Sequence, residues 1–280
     1  PDEVLVALGE EALAPTVART LRVAGLRPHL AIGMPLHRSR PGQLLVALVM
    51  WLESQSVDAF AALVRHPDLE RWWSADPALD GYVDALDRYR EERAPVRLGA
   101  PWPEEGVPAV LPSLWDTVAR WCQPLAGGSR PLSQWRAAIG DVLAPVYADL
   151  PEPEPHLLES LAAVAETLDE IATLPEALSP VAGAAEALAV VVDALAERLL
   201  PAEPEEPAIE LVGWLETALD DAPVLLVAGV NEGAIPESVN ADLFLPDAVC
   251  RELGLFDNRR RYARDAALLQ AALHSRERVV

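Results

Sequence analysis

Not one of the 280 residues is a lysine; all 22 basic side chains are arginine. A Walker A loop needs a lysine ammonium on the β- and γ-phosphates, and PD-(D/E)XK nuclease chemistry needs one beside the metal-bound water. Neither site can be completed within these residues. Abundant Ala, Pro and Arg alongside the missing lysine reads as the coding bias of a GC-rich genome. Cysteine is nearly as scarce: Cys122 and Cys250 lie far apart with no C-x-x-C spacing. That excludes a disulfide framework, argues against a zinc site and fits a reducing cytoplasm. Each is expected to be a small buried apolar side chain. No apolar run approaches the ~18 residues of a membrane-spanning helix, and no signal peptide is visible, so no membrane partner is expected. The five histidines (His29, His37, His66, His156 and His274) have no H-x-x-x-H or H-E-x-x-H spacing, and no G-x-S-x-G elbow occurs. No metal site, no cofactor and no catalytic residue is expected.

What is present is acid, unevenly placed. Residues 1–136 carry 17 acids against 14 arginines, and residues 137–250 carry 23 acids against Arg198 alone. Residues 251–280 carry 4 acids against 7 arginines. Nucleic-acid backbones demand cationic surface, so the middle segment cannot follow a DNA strand. Any such contact must come from the first half or from the last thirty residues.

Apolar patterning divides the chain in the same places. Val4–Leu8 reads as a buried parallel strand, residues 10–24 as a helix stopped at Gly25, and His29–Ile32 as a second strand. Pro41 is placed to start a helix through Leu52, and Ser56 to cap another that ends before Pro67. Helices are predicted at 76–92, 113–122, 132–148, 156–173 and 184–200, with Pro-rich joints at 94–112, 151–155 and 201–207. Strand patterning returns at Ile209–Val212 and 223–228, followed by a helix over 257–274. The fold class expected is helix-rich α/β. Residues 1–55 and 207–280 form one α/β domain, and 56–206 are an all-helical insertion. The chain opens on Pro1 and closes on Arg278-Val-Val280, which reads as a strand beginning; both ends are expected to be boundaries inside a longer protein.

The stretch Gly213-Trp-Leu-Glu216, then a strand, then Gly229-Val-Asn-Glu-Gly-Ala-Ile-Pro236 resembles a known signature. It is similar to the G-x-L-E … G-x-N-E-G-x-x-P pattern of AddB/RecB-type helicase–nucleases and of inactivated superfamily I helicases. Phe244-Leu-Pro-Asp247, Leu253-Gly-Leu255 and the run from Asp257 to Asp265 fit the same pattern. So do Pro35-Leu36 and the stretch from Phe60 to Pro67. The resemblance covers both ends, about half the chain, and leaves the helical middle unmatched. It implies a RecA-like parallel sheet, the second motor-like domain, interrupted by a helical insertion. It also implies a parent that is an ATP-dependent helicase or exodeoxyribonuclease subunit in double-strand-break repair and recombination. Trp214–Asp221 stands where active motors have T-x-H-x-x-K-G, and Ala218 stands where AddB-like proteins often have an arginine. The implied domain is therefore motor-like but degenerate, without catalytic residues of its own.

On that resemblance the nucleotide- or DNA-binding candidates are Gly229, Asn231, Glu232, Gly233, Arg260, Arg264 and Arg276, the last matching the arginine of a motor's T-R-A motif. The residues alone leave alternatives open. Gly229–Gly233 follows a strand, where α/β sheets bind ligands, yet would equally serve as a turn with Asn231 and Glu232 capping local amides. Arg260 and Arg264 share a helix face, while Arg261, flanked by Asp257 and Asp265, is expected to be tied in ion pairs. Trp115, Trp121 and Trp135 read as core; Trp72-Trp73 is ambiguous, because adjacent residues cannot both face one core. Two functions remain. One is a helicase-like segment that holds single-stranded DNA weakly, or a partner subunit or the rest of its parent chain. The other is an acidic helical scaffold for protein interaction with no DNA contact.

Overall fold

The structure is a computed structural model and describes residues 3–30, 33–99, 106–148, 150, 154–201, 208–236 and 245–280. Outside these lie the end of the expected His29–Ile32 strand, parts of all three Pro-rich joints, and Phe244 of the family pattern. In chain order the elements begin with β1 (Val4–Leu8), α1 (Ala14–Val23) and β2 (Pro28–Leu30). A helical run follows: β3 (Met34–Pro35), α2 (Arg40–Ser54), α3 (Val57–Val64), α4 (Pro67–Trp73), α5 (Tyr82–Arg93) and α6 (Val110–Trp121). It continues through β4 (Arg130–Pro131), α7 (Trp135–Tyr147), α8 (Pro155–Ala172), β5 (Val181–Ala182), α9 (Ala184–Ala196) and β6 (Leu199–Leu200). The chain then returns to strands with β7 (Ile209–Gly213) and β8 (Val224–Ala228), followed by α10 (Asp247–Glu252), α11 (Asn258–Ser275) and β9 (Arg278–Val279).

These elements fall into two compact units, one of residues 1–34 with 201–280 and one of residues 35–200. The first is helix-flanked α/β. Its five strands run in the order β2-β7-β1-β8-β9, every neighbouring pair parallel. β1 is central, pairing with β7 on one side and β8 on the other. A central parallel strand is buried on both faces and so needs an unbroken apolar run; Val-Leu-Val-Ala-Leu supplies it. Leu5 and Ala7 pack with Leu225 and Ala272 of α11 on one face. Val6 and Leu8 pack with Leu211 and with Ala14 and Ala18 of α1 on the other. The two helices lie on opposite faces because their crossovers are right-handed and leave the centre in opposite directions.

The second unit is mostly helical, with one core from Leu36 to Leu195, and the short antiparallel pair of β4 and β5 within it corrects the expectation of an all-helical insertion. Its helix starts follow local chemistry. The Ser39 and Ser56 hydroxyls accept amide hydrogen bonds from Gly42 and Ala59 and cap α2 and α3. Here the expected boundary at residue 55 is corrected. Leu44, Leu45 and Leu48 of α2 are fully buried in the helical core, so α2 belongs to that unit and the α/β part of the amino-terminal chain ends near residue 34. Residues 41–52 carry apolar side chains around most of the helix, which fits a helix enclosed by others rather than one lying on a sheet.

Two helices were absent from the sequence reading, α4 and α10; each is a short helix of seven residues or fewer, too short for a periodic signal. α4 also resolves the Trp72-Trp73 pair. Trp73 is buried and Trp72 half-buried, and both rings lie 6.1 Å from that of Trp121. Indoles are long enough for neighbours on a short embedded helix to reach one partner. Trp121 and Trp135 are core residues, with their indole N–H groups donating to the carbonyls of Val142 at 2.8 Å and Ala182 at 3.1 Å. Cys122 is buried, but Cys250 is only half-buried, a departure from the expectation, since α10 has no buried residue at all.

Candidate functional site

Within the parallel sheet, β1 and β8 are the neighbours whose onward connections part. β1 leads through α1 to β2 on one side, and β8 leads through α11 to β9 on the other. The crevice at the carboxyl ends of such a pair is where open α/β sheets place ligands. Two glycines occupy it. The Gly9 amide donates to the carbonyl of Ala228 at 2.8 Å, and a Cβ on Gly9 would sit 2.5 Å from the Gly229 carbonyl oxygen. Gly229 has φ +81°, and its own Cβ would meet the Leu13 side chain at 2.6 Å. The backbones therefore approach as closely as they do only because both residues lack side chains. Gly9 escaped the sequence reading, although a glycine directly after a central strand was the available signal.

From Gly229 the chain turns back on itself through backbone bonds. The Asn231 amide donates to the Gly229 carbonyl at 2.9 Å, and the Asn231 carbonyl accepts from Ala234 and Ile235 at 3.0 and 3.1 Å. Asn231, Glu232 and Gly233 are exposed. The expected capping by the Asn231 and Glu232 side chains is not what holds the turn, since neither makes a hydrogen bond to a described residue. The loop thus presents an amide and a carboxylate side chain outward on a backbone-locked turn.

α11 begins near the same edge of the sheet, since it must return from the carboxyl end of β8 to the amino end of β9. Asp257 caps it, accepting from the Arg260 amide at 3.0 Å and from Arg251 Nε at 3.1 Å. The Arg260 amide, ahead of the Arg251 guanidinium, holds this carboxyl below the usual carboxylate range. The arginines of the cluster meet different groups. Arg260 folds back, donating to the carbonyls of Gly254 at 3.0 Å and Leu255 at 3.4 Å, and so closes the end of α10. Arg264 Nε bonds Asp265 at 2.8 Å, and Arg261 donates to Asn258 at 3.3 Å. Arg259 is exposed and bonds no described residue. The outward cation of the cluster is therefore Arg259, with Arg260 and Arg264 partly committed.

Arg276 stands apart from the other six candidates. It is buried, donating to the carbonyls of Thr217 at 2.8 Å and Ala222 at 2.5 Å, to that of Asp220, and at 3.5 Å to the Asp220 carboxylate. These groups belong to the connection entering β8, and Glu277 next to it bonds Pro223. Arg276 is thus at the amino edge of the sheet. The length of β8, roughly 16 Å at ~3.3 Å per residue, separates it from Gly229. The seven candidates do not form one site: Gly229–Gly233 follow β8 at its carboxyl end, Arg260 and Arg264 lie in the first two turns of α11, and Arg276 is a clamp at the amino edge of the sheet.

Elsewhere, α7 and α8 enclose a groove of about 220 Å³ lined mainly by Leu143, Ala144, Leu161 and Val164, below the ~300 Å³ at which small-molecule pockets begin. Among the described residues no group of His, Cys, Asp or Glu is placed to hold a metal ion. Among the same residues no helix is long and apolar enough to cross a membrane. No family model matches the chain, and no curated protein matches it.

Proposed function

We propose that the chain is a non-catalytic, helicase-like segment of a cytoplasmic bacterial DNA double-strand-break repair helicase/exonuclease of the AddB/RecB type. In this reading the parallel sheet is RecA-like, the helical unit is its insertion, and the segment holds single-stranded DNA, a partner subunit or the rest of its parent chain. The observation that carries the reading is where the positive charge lies. The one segment with net positive charge, residues 251–280, opens α11 with exposed arginines near the sheet edge that carries Gly229–Gly233. Guanidinium groups supply forked donors suited to phosphate, and the switch-point crevice is the usual ligand position of such sheets.

Titration of a labelled single-stranded oligonucleotide at low salt tests it. The unsubstituted 280-residue chain should bind weakly, and a variant with Arg259→Glu, Arg260→Glu and Arg264→Glu together should lose that binding while keeping its circular dichroism. Parent protein that binds no DNA even at low salt would replace this reading with the second. That second reading, an acidic scaffold docking a basic protein, is favoured by one observation. Arg198, the sole cation of residues 137–250, bonds Thr167 at 2.6 Å and lies 3.2 Å from Glu170 and 3.5 Å from Glu166, so even that charge is spent internally.

A further inference from the structure

Aromatic side chains are few here, three Phe, four Tyr and eight Trp, and nearly all are used in packing. Among the described residues only two aromatic rings are exposed: Phe256 at 49% and Tyr262 at 45%. Both fall in the one net-positive segment, six residues apart, with Arg259 and Arg260 between them. Phe256 precedes the Asp257 cap of α11, and the guanidinium carbons of Arg261 and Arg264 each lie 5.9 Å from its ring centroid. A ring before a helix cap ordinarily staples to an apolar residue in the first turns. In this helix the staple position holds Arg261, so the ring is steadied by cations and leaves half its surface to solvent. Of the nearby carboxylates, Asp257 faces Arg251 and Asp265 faces Arg264, while Asp247 accepts from the Asn258 amide at 3.2 Å.

Resting on the DNA-holding reading above, we propose that Phe256 is a stacking platform for an unpaired nucleobase, with Arg260, whose exposed guanidinium lies on the carbonyls of Gly254 and Leu255 just before the ring, taking an adjacent phosphate. A planar face among guanidinium groups suits single-stranded nucleic acid, where bases stack on aromatics while arginines track the backbone. An acidic peptide would use the arginines but has no call for an exposed ring. A duplex would keep its bases stacked on one another and away from the platform. The ligand class is therefore single strands with little sequence preference.

The test uses the full chain, a fluorescent thymidine oligonucleotide, an abasic oligonucleotide of equal length, and poly-glutamate as competitor. Phe256→Ala and Phe256→Leu should each weaken the thymidine oligonucleotide about tenfold, near the lower end of what one stacked base contributes. Both should leave the abasic strand unchanged, and Phe256→Trp should restore the parent affinity. Phe256→Leu keeps an apolar residue before the cap, so an effect confined to Phe256→Ala assigns the ring to folding and overturns the proposal. If the triple arginine variant loses binding while both Phe256 variants bind as the parent does, the platform is wrong and the DNA-holding reading survives. Parent chain that binds no oligonucleotide overturns both. Competition by poly-glutamate as effective as by DNA overturns the platform in favour of an acidic protein partner.

Discussion

The Tyr147 hydroxyl donates to Oδ2 of Asp68 at 2.8 Å across 79 residues of sequence, and Asp68 has no exposed side-chain surface. Arg40 meets the other carboxylate oxygen. The start of α2, the first turn of α4 and the end of α7 are thereby tied to a single buried charge. Removing the cation and removing the anion should not cost the same. Arg40→Met leaves a fully buried carboxylate without its counter-charge, at about 3 kcal/mol or more. Asp68→Asn removes the charge and keeps an acceptor for Tyr147, at about 1–2 kcal/mol. Tyr147→Phe should cost about as much as Asp68→Asn, about 1.5 kcal/mol, the loss of one hydrogen bond to a charged group. Urea unfolding of the three variants checks the order; Asp68→Asn costing more than Arg40→Met would show that the cation contributes little.

His66 sits against this cluster and makes it sensitive to acid. Its Nδ1 accepts from the Asp68 amide at 3.2 Å and its Nε2 lies 3.1 Å from the Arg40 carbonyl, a pattern that fits the neutral ring with its proton on Nε2. Burial, first among the causes, lowers its pKa below the ordinary 6.5, against the pull of the Asp68 carboxylate and with a smaller push from Arg40. Between the lowered folded value and 6.5 the unfolded chain binds more protons. Stability is therefore full above about pH 6.5 and falls as pH drops through the window beneath it. Thermal melts at pH 7.5 and about 5.5 should differ more for the parent than for His66→Gln. Equal differences would assign the acid sensitivity to other groups.

Those two predictions rest on side-chain contacts that no sequence spacing reveals, and the contrast with the sheet is physical. β1 was legible because a parallel strand buried on both faces must be a continuous apolar run, as Val4–Leu8 is, and β8 because Val224–Ala228 is equally apolar, although its Leu226 is exposed. Ser39, Ser56 and Asp257 sit at helix starts where an oxygen acceptor is needed, and of these Ser56 was read correctly from sequence. The place at which the chain leaves the sheet was not legible. An apolar stretch such as Leu44–Trp51 packs equally well on a sheet or among helices, and only its partners decide. The same limit applies to the arginines. Spacing put Arg260 and Arg264 on one face, but which carbonyl or carboxylate each guanidinium meets depends on the path of residues 247–257. Phe256 and Gly9 carried signals, a ring before a cap and a glycine after a strand, that acquire meaning only once their neighbours in space are known.

The glycine pair at the crevice should tolerate substitution unequally. Gly9→Ala drives a Cβ to 2.5 Å from a backbone oxygen, which can yield only if the β1 and β8 ends part. Gly229→Ala meets the flexible end of Leu13 at 2.6 Å but also requires φ +81°. Gly233 shares a left-handed φ of +93° with nothing within 4 Å of its Cβ position. Gly233→Ala should therefore cost about 1 kcal/mol from backbone strain alone. Gly229→Ala should cost about 1–2 kcal/mol, and Gly9→Ala about 3 kcal/mol or more, as for overpacking against rigid backbone. Thermal unfolding of the three single variants gives the order, and Gly9→Ala as mild as Gly233→Ala would mean that the strand ends are not held together.

Arg276 offers the sharpest separation between a ligand role and a structural one. Its guanidinium reaches the carbonyls of Thr217, Asp220 and Ala222 together, drawing the 214–222 connection against the end of α11 at the edge opposite Gly229. A planar fork fits three carbonyls at fixed angles, and an ammonium on a shorter-ranged geometry does not. Arg276→Ala leaves three carbonyls and part of the Asp220 charge without a donor, and should cost about 3 kcal/mol. Arg276→Lys should recover less than half of that. If Arg276 serves only this clamp, both variants bind single-stranded DNA with the parent affinity at temperatures where they remain folded, while the Arg259, Arg260 and Arg264 variant does not. Loss of DNA binding by a folded Arg276→Lys protein, with melting temperature preserved, would return this arginine to the nucleotide- or DNA-contacting role that the family pattern implies.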